Sequence, residues 1–172
     1  LMEVSHKLTD NRDFSNLPRK YKIAIGGCHI HCHQPDINCV GFFGLKSDRG
    51  VGYGVKVGGG LSSAPHMAQT LPVWVEPALV WPVTKAISEV FRDEGYRAKR
   101  NRARFKFLVA DWGVERILAE VEDRLGYALP THEDFVFPRD QETDHMGIHA
   151  QIQPGFSWVG INFPGGRSAM VC

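Results

Sequence analysis

Arg19, Lys20 and Lys22 stand immediately before an apolar alternation of Tyr21, Ile23 and Ile25. In an extended strand, residues two apart share a face, so Lys20 and Lys22 are expected to point the same way. Two ammonium groups on one face repel unless water or an anion lies between them. Anion capture is the chemistry this spacing offers; the plainer reading is a solvated edge strand whose charges discourage pairing. Directly after it, Gly26 and Gly27 break the strand and Cys28, His29, His31, Cys32, His33 and Cys39 follow. Cys-x3-Cys with interleaved histidines can hold zinc, but no second Cys or His pair at a usual finger spacing follows. A cubane cluster needs four thiolates, and no partner pair stands elsewhere in the chain. Cys28, Cys32 and Cys39 are therefore not assigned as ligands, and whether they are vestigial or bind metal stays open.

These residues need elements to hold them. A first strand is expected over 17–25 and a second, 36–45, that returns beside it with Ile37, Val40, Phe42 and Phe43 as apolar material. Lys46 to Gly50 is turn chemistry, and 52–57 alternates as a third strand, completing a hairpin. Gly58, Gly59 and Gly60 then allow close backbone approach, since glycine lacks a Cβ and reaches positive φ freely. Pro77 suits a helix start, and Leu79, Val80, Val83, Ala86, Ile87, Val90 and Phe91 recur at helical spacing, with Pro82 predicting a kink or a start nearer Trp81. Gly113 separates a second helix, with Phe105, Leu108, Val109 and Trp112 inward, from a third carrying Val114, Ile117, Leu118, Val121 and Leu125. Residues 127–143 read as loop, and 147–152 and 156–163 as strands split by a Gln153-Pro154-Gly155 turn. His149 and Gln151 are read as ordinary alternating polar positions there. The basic run Arg97 to Lys106 is expected to be a solvated face answered by Glu115, Glu120, Glu122 and Asp123, without the aromatic interleaving of a nucleic-acid platform.

Length and composition bound the rest. The 172 residues can bury one core, and 43% hydrophobic with 23% charged residues fits a globular protein. A net charge of +1 gives no long-range field, so any basic patch is local. No apolar run approaches the ~20 residues of a membrane helix, and the polar amino end is no signal peptide. Four cysteines, three of them crowded together, do not form a secreted disulfide framework. A cytoplasmic protein binding neither nucleic acid nor membrane is expected. The amino end opens without a clear element and the carboxyl end stops just after a strand-like run, so a piece of a longer polypeptide is expected.

The string LPRKYKI, a glycine turn with a Cys/His stretch, DINCVGF, GYGVKVGGGLSSAP and RxxRNRARFKFLVxxxGVERxxAEVE together resemble the first siroheme-binding half of the assimilatory nitrite/sulfite reductases, over residues 17–125. HMGIHAQIQPGFSWVGINFPGGR resembles the opening of the second ferredoxin-like repeat of those enzymes. The resemblance implies an α+β fold, an antiparallel or mixed sheet with helices packed on one face, followed by a partial ferredoxin-like unit. It implies boundaries at 1–16 for the end of a preceding region, 17–130 for the siroheme-binding half-domain, 131–144 for a linker and 145–172 for the start of the repeat. The implied reaction is the six-electron reduction of nitrite to ammonia or of sulfite to sulfide, fed by ferredoxin or a flavoprotein and needing the remaining halves of the same polypeptide. Siroheme and a 4Fe-4S cluster are the implied cofactors, with the cluster ligands outside this segment. Lys20 and Lys22 would bind the substrate anion and help supply protons, while Arg19 and the Gly58-Gly59-Gly60 turn would approach the cofactor. On its own the segment would be inactive. The competing expectation is a non-redox anion- or metal-binding module built on the Cys/His-rich turn.

Overall fold

Strand β2, Val40–Ser47, is the axis of the molecule: Val40 and Phe42 are fully buried, and it is hydrogen-bonded on both sides. The structure, a computed structural model, describes residues 2–27, 31–135, 146–151 and 153–161. They fall into two compact units, one within Leu1–Pro138 and one within Arg139–Cys172. The first unit opens on a short helix, α1 (Met2–Leu8), and holds a four-stranded sheet in the order β1 (Ile23–Gly26), β2, β3 (Gly50–Val57), β4 (Gln69–Val75).

The sheet is mixed. β1 runs parallel to β2, with Ile23 opposite Val40, whereas β2–β3 and β3–β4 are antiparallel. The expected second strand from residue 36 starts only at Val40, and it lies beside the first in parallel and not as a return. Between the two strands, the described part of the connection holds a 3-10 turn at Pro35–Ile37 entered through Gln34 at φ 54. A parallel pair needs a crossover of about a dozen residues, which this connection supplies. β1 is also shorter than expected, because residues 17–22 are irregular and Lys20 and Lys22 both lie outside the strand.

β4 is a strand the sequence pattern conceals, since Pro72 interrupts it. Proline is tolerated at a sheet edge, where one side of the strand needs no ladder donor. That edge is covered by the 129–132 segment: Trp74 N–H donates to Pro130 O at 2.8 Å and His132 N–H to Pro72 O at 3.0 Å.

Helix α2 spans Val80–Glu94, following a 3-10 turn at Pro77–Leu79. Pro82 falls in its first turn, where the missing N–H has no intrahelical acceptor, so it starts the helix instead of kinking it. Thr84 and Ser88 are buried on α2, and each hydroxyl donates to the carbonyl four residues back, at 2.6 and 2.7 Å. Helix α3 spans Phe105–Leu125, but Gly113 stands at φ 77, ψ 165, so two helical runs meet there as the sequence predicts. α2 and α3 pack on each other and on the sheet through Val83, Ile87, Val90, Phe91, Phe105, Leu108, Ile117 and Val121. No described helix is long and apolar enough to cross a membrane.

The second unit shows a hairpin, β5 (Gly147–Ala150) with antiparallel β6 (Ser157–Gly160), turned at Gln153-Pro154-Gly155 with Gly155 at φ 82. The His149 ring stacks on Trp158, centroids 4.1 Å apart. The expected strand ends at 152 and 162–163 and the loop over 136–143 lie outside the described residues.

Candidate anion site

Tyr21 fixes the basic segment to the core. Its ring stacks on Phe91 at 5.2 Å and meets the edge of Phe105 at 5.9 Å, and burial pushes its phenol far above the ordinary tyrosine range. Pro18 packs at Gly95, behind the end of α2. Between these two anchors Arg19 and Lys20 are carried to one side, where they meet the segment leading into α3.

There they line a hollow of about 410 Å³ with Ser62, Ser63, Arg100, Asn101 and Arg104. One Arg19 Nη donates to Arg100 O. Among the described residues the Arg104 guanidinium donates to the Sγ of buried Cys39, at 3.7 Å, and its buried Nε has no hydrogen-bond partner. No carboxylate lies within 4.0 Å of Arg19, Lys20, Arg100 or Arg104 among the described residues. Four cations, two hydroxyls and an amide converge with no counter-charge. Such an arrangement attracts and orients anions, and planar Arg forks match carboxylate geometry in particular.

Behind the hollow lies Lys106, 1% exposed. Its Nζ donates to Ser62 Oγ at 2.8 Å, to Gly60 O at 3.4 Å and to Ala64 O. Burial, with Arg104 beside it, lowers its pKa below the ordinary lysine value. A larger hollow of about 660 Å³, lined by Ala150, Gln151, Gln153, Pro154 and Trp158, contains no charged side chain, so volume alone does not mark the chemistry.

The sequence-predicted residues separate here. Arg19 and Lys20 line the hollow; Lys22 is half-buried outside its lining, and its carbonyl accepts Val40 N–H at 3.1 Å. The three glycines are all buried and approach the chain itself. A Cβ on Gly58, at φ 83, would meet Val109; one on Gly59 would meet backbone of Asp36 and Asn38 at 2.5–2.9 Å; one on Gly60 would meet the Arg104 guanidinium at 3.0 Å. Of the three, Gly60 is therefore the one that lies against a residue lining the hollow.

Arg100, Arg104, Lys106, Ser62 and Ser63 were not singled out by the sequence. The basic run was expected to face solvent against the acids of α3; Arg97, Lys99, Arg100 and Arg102 are exposed as expected, whereas Arg104 is half-buried, Lys106 is buried, and the acids are engaged differently. Glu120 pairs with Arg124 at 2.6 Å, and Glu122 accepts Leu129 N–H at 2.8 Å. Among the described residues, Asp111 is the α3 acid that reaches back to the run, 3.9 Å from Arg102. The available signal was spacing: Arg104 and Lys106 sit where α3 begins, too close to its buried Phe105 and Leu108 to be a free face.

The Cys/His stretch makes structural contacts. Asp36 pairs with the buried Lys56 at 2.6 Å and lies 3.6 Å from His31 Nδ1; His33 Nε2 lies 2.8 Å from Phe42 O. Cys32 is exposed and Cys39 is buried, while Cys28 and His29 lie outside the described residues. Among the described residues no three His, Cys, Asp or Glu side chains are grouped to hold a metal ion.

A family profile described as the nitrite and sulphite reductase 4Fe-4S domain matches residues 1–129, which contain the whole hollow. The chain belongs to the nitrite and sulphite reductase family. It is 40% identical over 162 residues to a ferredoxin--nitrite reductase of Leptolyngbya laminosa, covering 91% of this chain and 31% of that protein. It is 38% identical over 172 residues to a sulfite reductase [ferredoxin] of Mycolicibacterium paratuberculosis, covering 97% and 30%. The solved structure of the Mycobacterium tuberculosis NirA protein superposes with a TM-score of 0.79 at 38% identity, over 86% of this chain and 27% of that one. The mixed sheet and its helices are thus the family's fold, and the chain spans under a third of the length of these relatives.

Proposed function

We propose that this chain is one segment of a cytoplasmic siroheme- and 4Fe-4S-dependent reductase that converts nitrite to ammonia or sulfite to sulfide, each a six-electron reduction, with ferredoxin or a flavoprotein as donor. The hollow suits siroheme's carboxylates: an arginine with a buried, unpartnered Nε and three further unpaired cations provide donors, and two serines add hydroxyls. Siroheme, when bound, supplies the iron at which the anion is reduced. Arg19, Arg100, Arg104, Ser62 and Ser63 would hold macrocycle carboxylates, with Gly60 leaving room for the Arg104 guanidinium and Gly58 and Gly59 packing the turn behind it. Lys20 and Lys22 would bind the small substrate anion and donate protons as oxygen leaves as water. The described residues do not fit a cubane: Cys39 is buried against Arg104 and no metal-holding group is present among them. Cluster ligands would come from elsewhere in the polypeptide.

The observation that carries this reading is the uncompensated cationic hollow inside the region matched by the reductase profile. An anion-binding module without redox chemistry would use the same hollow and differ in its products. The test is to assay the polypeptide that joins this segment to the remainder found in its relatives, with reduced ferredoxin, for ammonium from nitrite and sulfide from sulfite. Formation of either, abolished in Arg104→Gln, supports the proposal. Absence of both products with siroheme fully loaded would sink it.

A further inference from the structure

We propose that Lys106 is a positioning residue for this hollow, acting on the ligand through Ser62 without touching it. The inference rests on reading the hollow as an anion site. A buried ammonium is costly unless all its donors are used, and among the described residues Lys106 has no carboxylate within 4.0 Å. Its donors go instead to a single loop, to Gly60 O, Ser62 Oγ and Ala64 O. An ammonium has three N–H groups, so this loop consumes its whole capacity.

Among the described residues the loop is also tied near its base, where Gly60 and His66 exchange backbone hydrogen bonds of 2.9 and 3.0 Å and the His66 ring lies 2.9 Å from Ala64 O. Between base and tip, Leu61, Ser62 and Ser63 are exposed, and among the described residues Lys106 is the side chain that holds the Ser62 hydroxyl. Core packing does not call for a charge here; an unbranched apolar side chain of similar reach would fill the space at lower desolvation cost.

Ser62 gives the arrangement chemical direction. Its oxygen accepts from the ammonium, so its own hydroxyl proton is left to point into the hollow that Ser62 lines. A hydroxyl polarised by a cation is a stronger donor. Lys106 thus turns an ambivalent serine into a donor, and a hollow of cations and donors selects fully ionised carboxylates over protonated ones.

The test uses the 172-residue chain and uroporphyrin, an iron-free polycarboxylate macrocycle, titrated by fluorescence quenching at fixed ionic strength, with amide hydrogen exchange read at Gly60 and His66. Lys106→Met is expected to weaken binding by roughly tenfold or more, the scale of a charge-assisted hydrogen bond, and to speed exchange at both amides. Ser62→Ala should weaken binding by less, and Lys106→Met on the Ser62→Ala background should cost less than on the wild type, because the two act as one unit. Additive losses, or wild-type binding and exchange in Lys106→Met, would overturn the proposal. If Lys106→Met does not fold, Ser62→Ala decides it: unchanged binding overturns it, weakened binding with faster loop exchange supports it. Arg104→Gln separates the two readings. If it leaves binding intact, the hollow itself is not the anion site and both fall; if it weakens binding while Lys106→Met does not, only the Lys106 inference falls.

Discussion

Three consecutive glycines have three different neighbours, and for Gly59 and Gly60 this predicts different outcomes on substitution. Gly59→Ala would drive a Cβ into rigid backbone at Asp36 and Asn38, and is expected to cost ~1–3 kcal/mol, read as a lowered urea midpoint. Gly60→Ala would press only on the movable tip of Arg104, so the midpoint should stay while macrocycle binding weakens. Equal effects on stability would show that the turn is not gripped as described. Lys20→Met in the intact reductase should reduce turnover about a hundredfold while leaving the melting temperature in place, because an exposed cation does little for folding and a charge contact made at the reacting anion does much. Full turnover with normal siroheme content would make Lys20 merely structural. His31 bears on pH. Burial outweighs the pull of Asp36 and lowers its pKa, so the unfolded chain takes up the proton first. Its contribution to stability is then complete above about pH 6.5 and is lost as pH falls below that value. Because His31 sits at φ 56, His31→Asn is the variant its backbone tolerates, and it should flatten the fall in urea midpoint between pH 7.5 and 5.5. An unchanged slope would assign that fall to other groups.

At the scale of elements, legibility followed how local each determinant was. α2 could be read from spacing, and Gly113 from its place between two apolar stripes; both depend on neighbours three and four residues away. β4 could not be read, since Pro72 argues against a strand unless one knows that it lies at the edge under residues 130–132. The parallel pairing of β1 with β2 was also hidden, because the crossover between them looks like a loose turn in the sequence. The site was half legible for the same reason. Arg19 and Lys20 belong to a contiguous motif, whereas Arg100, Arg104 and Ser62 reach them only through the packing of Tyr21 against Phe91 and Phe105. Gly113 offers a test at this scale. Its φ of 77 lies where a Cβ is strained, so Gly113→Ala should cost about 1–2 kcal/mol in urea unfolding; a neutral result would mean the junction relaxes into one continuous helix.

For the whole molecule the question is what 172 residues can do when their relatives are about three times as long. The hollow is a wall open to solvent, and a carboxylate facing Arg19 or Lys20 there is screened by water and salt, so each pair is worth ~1 kcal/mol or less. Several such pairs together still bind, but weakly and with a steep salt dependence. The hairpin of β5 and β6 also leaves apolar side chains uncovered, with Ile148 76%, Phe156 67% and Ile161 65% exposed. Surfaces of that kind associate. The isolated chain is therefore expected to bind uroporphyrin measurably at low ionic strength, to lose most of that binding by about 0.5 M salt, where the screening length falls below ~5 Å, and to form neither ammonium nor sulfide with reduced ferredoxin. In sedimentation it should associate with rising concentration, and Ile148→Ser should reduce that association. Tight, salt-insensitive binding accompanied by turnover would show that the segment holds a complete pocket, and that the walls assigned here to the rest of the reductase are not needed.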